Sequence, residues 1–271
     1  MRVGVLGPRG TYAELAARQE YGSAELIYFP TITDVALAVV DGKVDVGVVP
    51  VESLRNGSVG ETLDALAWMD VKVRGEIVYR VKHYLLGNRG CTTKSIRRVL
   101  SHPQALAQCR EYLRKRLPEA ELVETASTAK AAEDVRRIGT VEVAAVGPRE
   151  LAKIYGLRVL EEVRGAEPNL TRFLCLSRGD SKKTGRDKTS IVFYTATDRP
   201  GILHEILGEF ASRKINLTKI ESRPSKKALG DYLFFVDLEG HRTDPVVREA
   251  LEGVREKTAM LKILGSYPKR F

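Results

Sequence analysis

The sequence predicts an α/β fold followed by a smaller α+β module, and three observations carry that prediction. Short β-prone runs alternate with helix-length apolar patterns through residues 1–178, the order of a mainly parallel sheet. Residues 179–188 then pass without one large apolar side chain, the composition of a linker between modules that fold separately. From residue 189 to 271 strands and helices follow in the order βαββαβ, which is ferredoxin-like.

Residues 2–6 alternate as a strand and stop at Gly7-Pro8-Arg9-Gly10, and Thr11 can cap a helix to about residue 21. Residues 25–29 read as a second strand. Thr33 can cap a helix through about residue 41, and residues 45–49 form a buried strand before Pro50. Ser58 or Gly60 starts a helix to about residue 69. Residues 71–86 are long, β-rich and lack helical spacing, so they read as a strand crossing into a second lobe of about 81–156. That lobe holds strands 97–100, 121–124 and 142–146 and helices 103–117, 129–138 and 148–155. Residues 157–161 and 172–176 return to the first lobe. The carboxyl-terminal module holds strands 189–195, 216–222, 231–238 and 261–266 and helices 201–213 and 245–257.

Composition narrows the function. A chain of 271 residues that is 43% hydrophobic can fill packed cores, and no apolar run is long enough to span a membrane. Met1 to Gly7 reads as a first strand rather than a signal peptide, so a cytoplasmic protein without a membrane partner is expected. Cys91, Cys109 and Cys175 are widely spaced, and His83, His102, His204 and His241 form no metal-ligand spacing with them. No metal or redox cofactor is expected: Gly4, Gly7 and Gly10 do not make GxGxxG. The net charge is +9 but the basic residues are scattered, so no nucleic-acid partner is expected.

The chemistry concentrates in Asn169-Leu170-Thr171-Arg172-Phe173, which combines an amide, a hydroxyl, a cation and an aromatic ring at a strand start. Strand alternation sets Thr171 and Phe173 on one face and Arg172 on the other. Thr171 can donate a hydrogen bond, and Arg172 presents a rigid fork suited to a carboxylate or phosphate. Thr11, Ser101 and Thr128 stand at helix starts, where free N–H groups attract anions and where plain capping is the alternative.

Gly7-Pro8-Arg9-Gly10-Thr11-Tyr12, Ser101-His102-Pro103-Gln104-Ala105-Leu106-Ala107-Gln108-Cys109, Ser127-Thr128-Ala129-Lys130-Ala131-Ala132, Asn169-Leu170-Thr171-Arg172-Phe173 and Glu221-Ser222-Arg223-Pro224 together resemble prephenate dehydratase, in the family's order over almost the whole chain. The resemblance implies a two-lobed catalytic domain like a periplasmic binding protein over 1–178, with a cleft between the lobes, and an ACT regulatory domain over 189–271. It implies prephenate as substrate and L-phenylalanine as allosteric effector, with a homodimer or homotetramer. Thr171, Arg172 and Phe173 become the catalytic residues: Thr171 donates to the ring hydroxyl, Arg172 binds a carboxylate, and Phe173 packs on the ring or locks its neighbours. Thr11, Glu52, Ser53, Ser101, Gln104 and Thr128 become substrate-binding positions, although Gln104 reads equally as a helix-surface residue. Gly201, Ile202, Leu203, Asn216, Leu217, Glu221, Ser222, Arg223 and Pro224 become the phenylalanine site.

The sequence departs from the family where Glu-Asn-Ser-x-x-Gly is usual: it has Glu52-Ser53-Leu54-Arg55-Asn56-Gly57, which leaves Asn56 as the nearest amide. Ala13 replaces a common serine, and Ile202 a common alanine. Arogenate dehydratase and a non-catalytic amino-acid-sensing solute-binding protein remain the alternative readings.

Overall fold

The computed structural model describes residues 1–163, 169–197, 199–226 and 231–271. The expected turn Gly165-Ala166-Glu167-Pro168, and Asp198 ahead of Arg199-Pro200, lie outside the described residues. The elements are β1 Arg2–Leu6, α1 Tyr12–Tyr21, β2 Glu25–Phe29, α2 Ile32–Val40, β3 Val46–Ser53, β4 Gly57–Ser58, α3 Gly60–Trp68, β5 Lys72–Arg80, β6 His83–Gly87, β7 Arg98–Ser101, α4 Pro103–Arg116, β8 Glu121–Glu124, α5 Thr128–Ile138, β9 Val143–Gly147, α6 Glu150–Tyr155, β10 Arg158–Val163 and β11 Leu170–Ser177. β12 Asp187–Thr195, α7 Ile202–Ala211, β13 Leu217–Pro224, β14 Tyr232–Glu239, α8 Pro245–Lys257 and β15 Thr258–Pro268 complete the chain. They form three sheets, ordered β2-β1-β3-β11-β5 with β4 on β3, β10-β6-β9-β7-β8, and β13-β14-β12-β15. The chain divides into two compact units. One comprises Met1–Val35, Val48–Val59 and Val78–Phe173, the other Ala36–Gly47, Gly60–Ile77 and Leu174–Phe271.

In the first unit β1 and β2 run parallel, Arg2 opposite Glu25. The sheet centred on β9 is covered on both faces. Leu106, Cys109 and Leu113 of α4 pack on Leu85, Val99, Ala144 and Val146. Ala129, Ala131, Ala132 and Val135 of α5 pack on Leu86, Leu100 and Ala145. Burial on both faces is why residues 143–146, Val-Ala-Ala-Val, are apolar without alternation. The cysteines are free and buried, and burial pushes the Cys109 thiol up to about 12.

Three boundaries differ from the sequence reading. The expected crossing strand 71–86 is two strands, β5 and β6, in different sheets. Residues 158–163 do not return to the first sheet: β10 pairs antiparallel with β6, Val163 opposite His83, and Val163 is buried in the core under α4. The return is made by β11. Finally, α2 begins at Ile32, and the Thr31 hydroxyl, not that of Thr33, accepts from Asp34 N at 3.0 Å.

In the second unit β13-β14-β12-β15 is the strand order of a ferredoxin-like βαββαβ. Ile206 and Phe210 of α7 and Val247, Ala250, Leu251 and Val254 of α8 pack on Ile191, Phe193, Val236 and Leu238. The expected linker ends early, because Asp187 and Lys188 are the first residues of β12. Nor does the segment hang free. Asp180 accepts from Arg242 at 3.0 Å and from Ser266 N at 3.2 Å, and Ser181 N donates to Ser266 O at 3.1 Å. Lys188 Nζ lies 3.1 Å from both carboxylate oxygens of Glu76 on β5, with the two side chains 1% and 0% exposed. Arg270 N adds a bond to the same carboxylate at 3.0 Å.

The module also holds α3. Lys262 Nζ donates to the carbonyls of Leu66, Ala67 and Met69 at 2.7, 3.2 and 2.6 Å, the terminal carbonyls that a helix leaves unpaired and negative. Arg223 Nη2 reaches Asp64 at 3.3 Å and Lys226 Nζ reaches it at 2.7 Å. A Cβ at Gly60 would lie 2.6 Å from Arg223 Nη1, so glycine there admits the guanidinium.

Charged contacts thus join the carboxyl-terminal module to β5 and α3. Lys188→Met removes the ammonium that lies 3.1 Å from both Glu76 carboxylate oxygens, which costs about 3–5 kcal/mol, while the double change Lys188→Met, Glu76→Leu recovers most of that. Urea denaturation of the full chain measures both; a Lys188→Met midpoint equal to wild type contradicts the pair's role. A chain ending at Arg178 lacks the same ammonium and is expected to be destabilised likewise.

Candidate active site

β11 opens the site. Leu54 N donates to Leu170 O at 2.9 Å and Val81 N to Asn169 O at 2.8 Å, so the strand start is held from both sides. Thr171 is half-buried, whereas Arg172 is 6% and Phe173 2% exposed. A ring buried to that degree is placed to hold its neighbours in position. Buried residues run consecutively from Arg172 to Ser177, as on an interior strand covered on both faces.

The buried guanidinium is met by Glu52, Nη1 to Oε1 at 3.4 Å. Glu52 is positioned by the β3–β4 hairpin, Glu52 opposite Ser58 and Ser53 opposite Gly57. The turn is completed by Gly57 at φ 71°, a conformation that favours glycine. Ser53 Oγ accepts from Arg55 N at 3.4 Å. Leu54 is 67% exposed and Asn56 is exposed at the turn.

The expected anion-binding helix starts are largely occupied by the protein itself. Thr11 caps α1: its hydroxyl donates to Leu6 O at 2.8 Å and accepts from Glu14 N at 3.4 Å. The buried Glu14 carboxylate accepts from Gly10 N at 2.6 Å, a reciprocal arrangement close to a capping box. Glu14 thus accepts from the residue ahead of the cap, while the Thr11 hydroxyl takes Glu14 N of the first turn. Ser101 is fully buried and donates to Val146 O at 2.6 Å, which ties β7 to β9; the cap of α4 is His102, whose Nδ1 accepts from Gln104 N at 3.3 Å. Ser127 caps α5, accepting from Lys130 N at 3.0 Å, so Thr128 is freed from capping and is 8% exposed in the first turn. Gln104 is an exposed residue of α4.

One helical turn beyond Gln104 stands a residue that sequence reasoning missed. Gln108 Oε1 accepts from Asn169 Nδ2 at 2.7 Å and lies 3.0 Å from His83 Nε2. His83 Nδ1 in turn lies 2.9 Å from the Tyr12 hydroxyl, which also reaches Lys82 O at 2.8 Å. A continuous chain of bonds thus links Asn169, two residues before Thr171, through α4 and β6 to α1. Burial lowers the His83 pKa and raises that of Tyr12 well above its usual value. The signal available in the sequence was the i, i+4 repeat of glutamine on α4.

In the second unit Gly201 takes φ +87° ahead of α7, and Ile202 and Leu203 pack partly into the core. Leu217 joins the same core. Asn216 is exposed, and its carbonyl accepts from Glu239 N at 2.9 Å. Glu221 is paired with Lys219 at 3.0 Å and Arg223 with Asp64, while Ser222 and Pro224 face solvent on the edge strand β13.

A family model described as prephenate dehydratase matches residues 3–181. The chain belongs to the prephenate dehydratase family. An ACT domain model matches residues 189–256. The chain is 44% identical to a bifunctional chorismate mutase/prephenate dehydratase of Aquifex aeolicus, covering 99% of this chain and 74% of that protein. It is 39% identical to a prephenate dehydratase of Methanocaldococcus jannaschii, covering 96% of each. The crystal structure of a prephenate dehydratase from Arthrobacter aurescens in complex with L-Phe superposes with a TM-score of 0.93 at 36% identity, covering 99% of this chain and 90% of that one.

The chain is therefore an enzyme of the dehydratase class with an ACT domain, and the pairing of Arg172 bears on its activity. Lysine cannot reproduce the planar fork, and truncating one partner of a desolvated pair costs roughly 2–5 kcal/mol. Arg172→Lys is expected to lower kcat/KM for prephenate by at least ~10-fold, since 1.4 kcal/mol is a factor of ten. Steady-state kinetics check it; an unchanged kcat/KM places Arg172 outside the reaction.

Proposed function

We propose that the chain converts prephenate to phenylpyruvate, carbon dioxide and water at the start of β11, and that L-phenylalanine acts on it through the ACT domain. The observation that carries the reading is a half-buried hydroxyl, Thr171, next to a buried guanidinium, Arg172, at a strand start held by the hairpin that bears Glu52. The bond from the ring to its carboxylate breaks and releases carbon dioxide. Its electron pair moves into the ring, which becomes aromatic, and the ring hydroxyl leaves at the far end as water after gaining one proton.

Thr171 donates a hydrogen bond to the departing oxygen, and the net proton comes from solvent. Arg172, buried beside Thr171, fixes a substrate carboxylate through its guanidinium fork. The Gln108 amide and the backbone N–H groups at the start of α5, near Thr128, supply further donors. Thr11 and Ser101 shape the site through the backbone bonds described above, and Ser53 sets the hairpin.

The ACT domain reaches α3 through Lys262, Arg223 and Lys226. A ligand at Gly201-Ile202-Leu203 and β13 has through these residues a route to the helix that continues from the Glu52 hairpin. Coupling of this kind is a difference in affinity between two states, typically about 1–3 kcal/mol. Phenylalanine is expected to lower activity, and tyrosine to do so less, because a buried phenol without a partner is costly. No helix among the described residues is long and apolar enough to cross a membrane. A cytoplasmic location is part of this reading, and the edge strand β13 suits assembly as a homodimer or homotetramer.

Thr171→Ala should lower kcat by roughly 10²–10⁴, the usual worth of one positioned proton donor, with a smaller change in KM, and Thr171→Ser should keep much of the activity. A wild-type kcat in Thr171→Ala assigns the donor elsewhere. Calorimetry that detects no phenylalanine binding to the full chain removes the effector role.

A further inference from the structure

His83 stands outside every motif that the functional reading uses. It is 8% exposed, and both ring nitrogens are engaged: Nε2 at 3.0 Å from Gln108 Oε1 and Nδ1 at 2.9 Å from the Tyr12 hydroxyl. The groups that face it are Tyr12 from α1, Gln108 from α4 and the Arg55 guanidinium from the β3–β4 turn; burial and Arg55 both disfavour its cation. A neutral imidazole has one donor and one acceptor. Gln108 Oε1 accepts only, so Nε2 carries the proton, and Nδ1 shares the single Tyr12 O–H with Lys82 O, 2.8 Å from the same hydroxyl.

We propose that His83 is a positioning residue for the reaction at β11. Its Nε2–H, together with Asn169 Nδ2–H, saturates the two lone pairs of Gln108 Oε1. The carboxamide is thereby prevented from flipping, and its N–H2 is kept as a donor for recognition. An unfixed glutamine amide presents a donor or an acceptor with nearly equal ease. Facing an anionic substrate, the flipped form would set an oxygen lone pair against a carboxylate. The Asn169 bond alone does not hold the amide, because either amide group of Asn169 can face it. The imidazole, whose Nε2 faces Gln108 Oε1 at 3.0 Å, supplies the direction. This inference rests on the dehydratase reading of the site.

Two experiments test it. Nitrogen-15 NMR of the histidine-labelled full chain, assigned by loss of one ring signal in His83→Gln, is expected to show a neutral ring protonated at Nε2; an Nδ1-protonated ring overturns the proposal whatever the substrate proves to be. Kinetics with prephenate follow, after wild-type turnover has established the reaction itself. His83→Gln restores an amide donor near the Nε2 position and is expected to keep kcat within about 5-fold. His83→Asn restores only the Nδ1 position and is expected to lose about 10–100-fold in kcat with little change in KM, the scale of a displaced catalytic neighbour. Equal losses in the two variants, or rescue by asparagine and not glutamine, overturn it. Thermal melts of both variants accompany the kinetics, and if one fails to fold, the tautomer alone decides.

Discussion

A guanidinium cannot shed its charge in a protein, so an arginine as deeply buried as Arg172 has to be paired. Most of what surrounds the candidate site follows from that requirement. Glu52 answers it, and Glu52 is available only because the β3–β4 hairpin turns back at Gly57 and is bonded to the start of β11 through Leu54 and Leu170. Thr171, one residue before the arginine, inherits its place from the same contacts. The pairing also limits what Arg172 can do alone. Part of its charge is cancelled by Glu52, so recognition of a dianionic substrate calls for neutral donors as well. In the proposed reading that need falls to the Gln108 amide and the start of α5.

The regulatory side depends on charge in a different way. The ACT sheet covers one face with α7 and α8 and carries cations toward α3 and β5. Lys262 caps the end of α3, Arg223 and Lys226 share Asp64, and Lys188 is buried on Glu76. The Lys188–Glu76 contact has the steepest geometric demand, since a small displacement leaves a buried charge unpaired. The same property makes the carboxyl-terminal module part of the fold rather than an appendage.

The alternation of strand and helix and the βαββαβ order were legible in the sequence, because patterning repeats locally at periods of 2 and 3.6 residues. The cluster at Thr171, Arg172 and Phe173 was legible as chemistry, though the depth of Phe173 was not. Three things were hidden. Which residue caps a helix depends on backbone angles one position away, which is how Ser127 and His102 take the places read for Thr128 and Ser101. The polar run 179–188 looked like a spacer because composition does not show that Asp180 and Lys188 have partners far along the chain. And Gln108, His83 and Asn169 lie 25 and 61 residues apart, so their bonds are a product of the sheet order, invisible to any window along the sequence.

The central claim is that the start of β11 carries out a decarboxylating dehydration. The most direct measurement is product stoichiometry: prephenate consumed, phenylpyruvate formed and carbon dioxide released by the purified full chain near neutral pH, with the spontaneous reaction subtracted. The account predicts equal amounts of all three. Prephenate left unconsumed, or consumed without matching phenylpyruvate and carbon dioxide, would contradict it.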